Sequence, residues 1–425
     1  EAKGPEDIIV SREEEEKIKE IANNDNAYDL LIDSIAPSVY GLDDLKEAIL
    51  LMLIGSPNQI LKDSTSLRGD INILFVGDPG TAKSELLKYA SRLAPRGLYA
   101  SGKGSTAAGL TAAVIRERSG TMMLEAGTVV LADKGLACID EFDKMRSEDR
   151  SALHEAMEQQ TVSVAKGGII ATLNARTAIL AAANPQFGKY DTHRNITENI
   201  NIPTPLLTRF DLVFAIRDDP EPTKDSQLAE YILDIHKTGE ITRSVEVDFD
   251  LLKKYIIYAK RIEPRLSQEA EQKILEYYLK MRQSSTDPDQ ITVTPRALEG
   301  LIRLASARAR ALFHETITED DAMRGIRLVQ RMYSTVGIDV STGKVDLGVF
   351  QGKALSQRSK METAHDKFDE LEANSKDKLV DRTEFVKELI DTGKFNPTSA
   401  EKIFQDLADS GSIYNVKDNF YRKVR

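Results

Sequence analysis

The stretch Ile71-Asn-Ile-Leu-Phe-Val-Gly-Asp-Pro-Gly-Thr-Ala-Lys-Ser84 runs a short apolar segment directly into a glycine-containing turn that ends in lysine and serine. Phosphate groups call for these residue types at this spacing. Gly77 and Gly80 let backbone N–H groups turn inward, a following helix adds its positive N-terminal end, Lys83 reaches β- and γ-phosphates, and the Ser84 hydroxyl can ligate Mg²⁺. The loop Gly77, Asp78, Pro79, Gly80, Thr81, Ala82, Lys83 and Ser84 is therefore expected to bind a nucleotide, with ATP and Mg²⁺ as the cofactors. Ala82 stands where the usual pattern has glycine, which the geometry tolerates if Ala82 takes ordinary helical angles. The bland alternative is a Gly/Pro turn before any helix.

A second apolar run, Leu136-Ala-Cys-Ile139, ends in Asp140-Glu141. Ligands of open α/β sheets sit at the C-terminal edge of the strands, so one carboxylate there can hold Mg²⁺ and the next can orient and deprotonate an attacking water. We assign Asp140 to the metal and Glu141 to the general base. No Asn-Lys-x-Asp motif occurs, which argues against a guanine nucleotide. Asn184 closes another strand candidate, where its amide would help place the water; taken alone it reads rather as a turn residue before Pro185. Arg209 precedes a strand, at the edge away from the phosphates, and so is a candidate arginine finger offered to a neighbouring subunit; the bland reading is a surface arginine at a helix end. Arg296 opens a helix after Thr294-Pro295, where a cation is unfavourable unless an anion faces it. Thr161 to Thr172 alternates, turns at Lys166-Gly-Gly168 and alternates again, a hairpin with lysine at its tip, either a solubilising edge lysine or a contact to a nucleic-acid backbone.

These residues need a scaffold of parallel strands. Short apolar strand candidates at Ile71 to Val76, Gly135 to Ile139, Thr177 to Ala182 and Asp211 to Ile216 alternate with helical patterns at Glu85 to Leu93 and Ser147 to Gln160, which predicts an α/β fold. Charged and apolar lead-in helices occupy 1–34 and the α/β core 35–217. After Asp218-Asp-Pro-Glu-Pro222 the pattern becomes all-helical over 218–334. A linker is expected at 335–360, and 361–425 reads as three helices and a hairpin, resembling a winged helix. Within 425 residues, 57 Lys and Arg against 68 Asp and Glu give a net charge of −11, so any nucleic-acid contact must be local. The single cysteine, Cys138, lies in an apolar run and reads as a buried thiol, in keeping with a reducing, intracellular compartment. No apolar stretch is long enough to span a membrane, and the first residue is not Met, so further domains upstream are expected.

Together the motifs resemble the motor half of the minichromosome maintenance (MCM) replicative helicases, a branch of the AAA+ ATPases. The matching strings are Gly77 to Ser84 with its family-typical Ala82, Ser105-Thr-Ala-Ala-Gly-Leu-Thr111, Ile139-Asp-Glu-Phe-Asp-Lys-Met145, Ala183-Asn-Pro185 and Pro205-Leu-Leu-Thr-Arg-Phe-Asp211. The resemblance covers roughly Ile35 to Tyr333. It implies an AAA+ P-loop parallel sheet with helices on both faces, a helical lid and a small C-terminal winged helix. It also implies an ATP-driven DNA helicase working in replication as a ring, expected to be a homohexamer, with ATP between subunits. Carried over, Lys83, Ser84, Asp140, Glu141 and Asn184 form the site of one subunit, while Arg209 and Arg296 come from its neighbour. Lys166 matches the family's pre-sensor hairpin lysine and so becomes a DNA contact. The helix-two insertion falls near Arg116 to Leu124, and Arg68 and Gln159 are further candidate nucleotide contacts.

The family's N-terminal OB-fold domain, often with zinc, has no counterpart here, and there is no cysteine cluster to bind zinc. The C-terminal unit, with 11 Lys and Arg against 14 Asp and Glu over Met361 to Arg425, suits regulation or docking of replication factors as well as DNA. The competing reading is an AAA+ origin-recognition or loader ATPase, which shares the P-loop and winged helix but usually lacks both insertions. The undecorated chain points to an archaeal source, hence cytoplasm or nucleoid; a eukaryotic one would place it in the nucleus.

Overall fold

The computed structural model describes residues 9–336 apart from 64–65, 104–106, 117–121, 167–168, 191–198, 201, 240–246 and 285–293, and 367–368, 371, 375, 379–391, 400, 404, 413–417 and 420–423 of the C-terminal part. The chain divides into two compact units, Glu1–Val345 and Asp346–Arg425.

The first unit opens with helices α1 (Arg12–Ala22), α2 (Ala27–Asp33) and α3 (Asp43–Ile54), followed by a small ribbon, β1 (Gln59–Ile60) and β2 (Ser66–Leu67). Then come β3 (Ile73–Gly77), α4 (Lys83–Leu93), β4 (Gly97–Ser101), α5 (Ala107–Leu110), β5 (Ala112–Arg116), β6 (Met122–Ala126), α6 (Thr128–Leu131), β7 (Leu136–Asp140), α7 (Ser147–Gln159), β8 (Thr161–Lys166), β9 (Ile169–Asn174), β10 (Ala178–Ala183) and β11 (Leu212–Ile216). Strands β11, β3, β10, β7 and β4, in that order, form one five-stranded parallel sheet. The sequence reading finds four of these strands. It misses β4, whose Gly97-Leu-Tyr-Ala-Ser101 is only partly buried and carries no continuous apolar run.

Burial on both faces explains why the central strands read as unbroken apolar runs. Successive side chains point to opposite faces, so Ile73, Phe75, Leu136, Cys138, Leu180 and Phe214 enter one core with α3 and α4, while Leu74, Val76, Ala137, Ile139, Ile179 and Ala215 enter the other with α7 and the β8–β9 hairpin. Cys138 is fully buried, and burial pushes its thiol well up, as the sequence leads one to expect of an inert thiol.

An all-helical part follows with the helices Pro222–Thr238, Phe249–Ala259, Gln268–Ser284, Pro295–Ala311 and Glu319–Thr335, and a two-residue parallel pair, β12 (Arg265–Leu266) and β13 (Thr316–Ile317), between them. It is keyed to the sheet by polar contacts within the packing. Arg303 of Pro295–Ala311 meets Asp211 at 2.6 Å with both side chains almost fully buried, and Met332 and Thr335 of the last helix accept the backbone N–H groups of Val213 and Ala215 on β11. That last helix starts on a capping box, with Thr318 accepting from the Asp321 amide and Asp321 from the Thr318 amide.

In the C-terminal unit, β14 (Val380–Asp381), β16 (Phe420–Lys423) and β15 (Ile413–Lys417) pair antiparallel in that order, beside the helix Arg382–Asp391. Phe368, Val380, Phe385, Leu389, Ala400 and Phe404 form its core. The hairpin and second helix expected there are present. The expected linker at 335–360 and most of the third helix, Thr398 to Ser410, lie outside the described residues.

Candidate active site

The parallel register brings the chemistry-bearing residues to one edge. Ala183 pairs with Val76, Ala181 with Ile139 and Ser101 with Asp140, so the loop after β3, Asn184 after β10 and Asp140-Glu141 at the end of β7 emerge side by side. This is the C-terminal edge, where open α/β sheets bind ligands.

The loop between β3 and α4 wraps around one ammonium group. Lys83 is buried and its Nζ donates to the carbonyls of Gly77 at 2.7 Å and Asp78 at 2.6 Å and to the Thr81 hydroxyl at 3.1 Å. Burial pushes this amine down, while Asp140, Asp78 and Asp143 oppose the shift by their charge. Gly77 has no room for a side chain, since a Cβ would lie 2.5 Å from the Ile216 carbonyl oxygen. Gly80 takes φ +87° with open space around it. Ala82 overturns the expectation of ordinary helical angles: it caps α4 at φ 57°, ψ 12°, in the left-handed region. The last residue before the lysine must reverse the chain there, which explains why glycine is usual at this place. Asp78 is spent on structure, its carboxylate accepting from the amides of Tyr190 at 2.8 Å and Asp218 at 3.2 Å and its own N–H donating to the Ile216 carbonyl at 3.1 Å.

At the end of β7 the two carboxylates have separate partners. Asp140 accepts from the Tyr99 hydroxyl at 2.8 Å and from the Glu141 amide at 2.8 Å. Burial and then Asp140 itself push the Tyr99 hydroxyl well up, which keeps it a donor. Glu141 sits at φ 49°, ψ 42°, with its carboxylate accepting from the Ser101 hydroxyl at 2.9 Å. Beyond it, Asp143 accepts the Asn184 amide at 3.0 Å, tying the ends of β10 and β7 together. Tyr99, Ser101 and Asp143 belong to the site and escape sequence reading; the alternation of Tyr99 and Ser101 in a short strand is the one signal that could have found the first two.

The remaining candidates lie elsewhere. Arg209 precedes β11 at the opposite edge, as expected, but it is buried rather than a surface helix-end residue. It meets Glu158 of α7 at 2.6 Å, and Arg296, at the start of its lid helix, meets the same carboxylate at 3.1 Å. Glu158 is thus the anion that faces the unfavourable helix-start cation, a role that no motif in the sequence announces. Arg68 donates to the Met157 carbonyl at 3.1 Å and lies 3.6 Å from Asp211, on this side of the sheet and away from the phosphate loop. Gln159 closes α7 next to Glu158. Lys166 ends β8 where the β8–β9 hairpin begins its turn, and residues 167–168 lie outside the described set. The expected insertion near Arg116 to Leu124 is a second antiparallel hairpin, β5 with β6.

A model of the MCM P-loop domain matches residues 14–236, just over half the chain, and a model of the MCM AAA-lid domain matches residues 250–333. The chain belongs to the MCM family. Among MCM relatives, the minichromosome maintenance protein MCM of Saccharolobus solfataricus is 47% identical over 423 residues, which is 98% of this chain and 61% of the relative. DNA replication licensing factor MCM4 of Arabidopsis thaliana is 42% identical over 366 residues, 84% of this chain and 43% of the relative. DNA replication licensing factor MCM6 of the same plant is 44% identical over 343 residues, 80% of this chain and 41% of the relative. The chain therefore spans less than two thirds of the length of these MCM proteins. Family membership accounts for the helical lid and makes the P-loop reading of Gly77 to Ser84 the one to build on, since a chance Gly/Pro turn would not sit at this edge of such a sheet.

The residues present fit Mg²⁺ and a nucleotide triphosphate. Among the described residues no three carboxylate, imidazole or thiol groups cluster to hold a metal by themselves. Mg²⁺ asks for less, one or two hard oxygens completed by water and phosphate, and the Ser84 hydroxyl and Asp140 carboxylate are of that kind. No described helix is long and apolar enough to cross a membrane.

Proposed function

We propose that this chain is the ATP-hydrolysing motor of an MCM-type replicative DNA helicase. The observation that carries the reading is the convergence of the Lys83 loop, Asp140-Glu141 and Asn184 on one edge of one parallel sheet, in a chain of the MCM family. Bound ATP and Mg²⁺ would supply the reactive phosphoryl group and neutralise its charge. The protein's own residues do the rest. Backbone N–H groups of residues 80 to 82 would cradle the phosphates, Lys83 would exchange its loop carbonyls for phosphate oxygens, and Ser84 and Asp140 would hold the metal. Glu141 orients the attacking water and takes its proton, and Asn184 fixes the water's position.

Arg209 and Arg296 stand away from this edge and serve the site of a neighbouring subunit, which requires a ring, a homohexamer by family likeness. Arg68 and Gln159, on the same side as Arg209, belong with that interface. The β8–β9 hairpin offers Lys166 to the DNA backbone. In a chain with net charge −11, affinity for DNA comes from such local cations repeated around the ring. The domain division is lead-in helices 1–34, core 35–217, lid 218–334, linker 335–360 and winged helix 361–425, acting inside the cell with replication factors as partners. The loader-type alternative is disfavoured by the two hairpins, β5–β6 and β8–β9. ATP-dependent strand displacement on a forked duplex, with turnover followed in the same tube, tests the reading. Unwinding that disappears in Glu141→Gln is the expected outcome, and turnover with no unwinding would favour the loader.

A further inference from the structure

The N-terminal edge of the sheet, opposite the phosphate loop, carries a cavity of about 250 Å³. It forms where the starts of β7 and β10, at Gly135 and Ala178, meet the C-terminal end of α3 and the lid residues Lys260 and Arg310. Its charged lining is Lys134, Arg176, Lys260 and Arg310 against one carboxylate, Asp70.

These charges are unevenly compensated. Arg176 already holds Asp133 at 2.7 Å, and Asp70 accepts from Gln160 at 2.7 Å. Arg310 is buried and donates only to carbonyls, those of Gly55 at 3.0 Å, Lys260 at 3.0 Å and Ile262 at 2.7 Å. Among the described residues no carboxylate lies within salt-bridge reach of Arg310 or Lys260, and the Lys260 ammonium makes no hydrogen bond. Burial lowers Arg310 to about 10, and it pushes Lys260 down with Asp70 opposing. Buried cations are ordinarily matched by an anion. Here Asp70 opposes Lys260 and Glu263 opposes Arg310 only through space, and neither cation has an anion in contact among the described residues.

We propose that the cavity binds a small multivalent oxyanion of the phosphate class, inorganic phosphate or pyrophosphate, at a site separate from the P-loop. Lys260 supplies free donors and Arg310 supplies field, while Arg176 and Lys134 close the core side. The volume falls below the roughly 300–1,000 Å³ of pockets that take drug-sized ligands, which leaves no room for a whole nucleotide. Because Lys260 and Arg310 belong to the lid and Arg176 to the core, a bound anion ties lid to core without touching the catalytic edge.

The test is calorimetric titration of the full chain carrying Lys83→Ala, which weakens the P-loop, with pyrophosphate and with inorganic phosphate in parallel. Binding of at least one, at one site per chain, is expected. Adding Lys260→Met should weaken it at least tenfold, and adding Asp70→Asn should tighten it several-fold. Absence of binding in Lys83→Ala, or an affinity indifferent to Lys260→Met, overturns the assignment. Should Lys260→Met lower the melting temperature, the Asp70→Asn arm decides by itself, and unchanged or weaker binding there refutes the site. ADP that displaces pyrophosphate at equal affinity also refutes it.

Discussion

Glu158 and Arg209 meet at 2.6 Å, and the carboxylate that makes this contact also receives Arg296. One acidic side chain on α7 therefore gathers the two arginines that the proposed mechanism gives to the neighbouring subunit, one from the core and one from the lid. Arg209, by hydrogen bonding, is the chief reason the Glu158 carboxyl is held below its usual range. A carboxylate that binds both arginines offers them the kind of oxygens a γ-phosphate would.

If Arg209 acts across an interface, the variants Glu141→Gln and Arg209→Ala damage different halves of the same composite site. Each alone should lose turnover, by about 10³-fold or more for the arginine. Mixed in equal amounts before assembly, they should regain a measurable fraction, because some interfaces then pair intact Glu141 with intact Arg209. A mixture as inactive as either variant would refute action in trans. Glu158→Ala should alter stability by only about 1 kcal/mol, since Glu158 is well exposed and solvent screens the pair.

Removal of Lys83 takes three donor contacts from the loop and the cation from the phosphates. Charge-assisted hydrogen bonds contribute about 1.5–3 kcal/mol, so Lys83→Ala should weaken ATP binding by roughly 10- to 150-fold. Fluorescent nucleotide titration reads this directly, and unchanged affinity would exclude the loop as the phosphate site.

Tyr99→Phe removes a single hydroxyl from Asp140 and leaves the ring in place. The loss is expected at about 1 kcal/mol in stability, with a larger effect on the Mg²⁺ concentration that half-saturates turnover, because Asp140 loses a fixing donor. A Mg²⁺ dependence identical to the parent would show that Tyr99 does not position Asp140.

Ala82 occupies a left-handed conformation that costs an L-residue about 1–2 kcal/mol and glycine little. Ala82→Gly should therefore hold or raise the melting temperature, gaining up to about 1 kcal/mol after its unfolded-state entropy is counted. A marked fall in thermal denaturation would mean that the packing of the Ala82 methyl against the core outweighs the backbone term.

Asp321 is fully buried, which raises its pKa, but the hydrogen bonds it accepts from His314 and Thr318 outweigh burial and set it below the ordinary carboxylate value. A depressed carboxylate contributes stability that is present above the unfolded-state pKa, near 3.9, and is lost as pH falls from there through the folded value. Asp321→Asn should lower stability at neutral pH and flatten the acid limb below about pH 4. An acid-unfolding profile with the parent's slope would leave Asp321 without this role.

Much of this molecule is legible in its sequence because parallel strands buried on both faces must be apolar throughout. Ile73 to Gly77, Leu136 to Asp140 and Ala178 to Ala183 show that pattern, and each ends in the polar residues that the sheet edge exposes. Local chemistry thus determines the P-loop, the acidic pair and the amide. Strand β4 escapes because its side chains are only partly buried, and with it go Tyr99 and Ser101. Sequence could not decide the register that sets Ser101 beside Asp140, the joining of Arg209 and Arg296 by Glu158, or the convergence of Lys260 and Arg310 on a cavity at the far edge. Those depend on contacts between residues distant in the chain, which nearest-neighbour patterns do not encode and only the packed sheet and lid bring together.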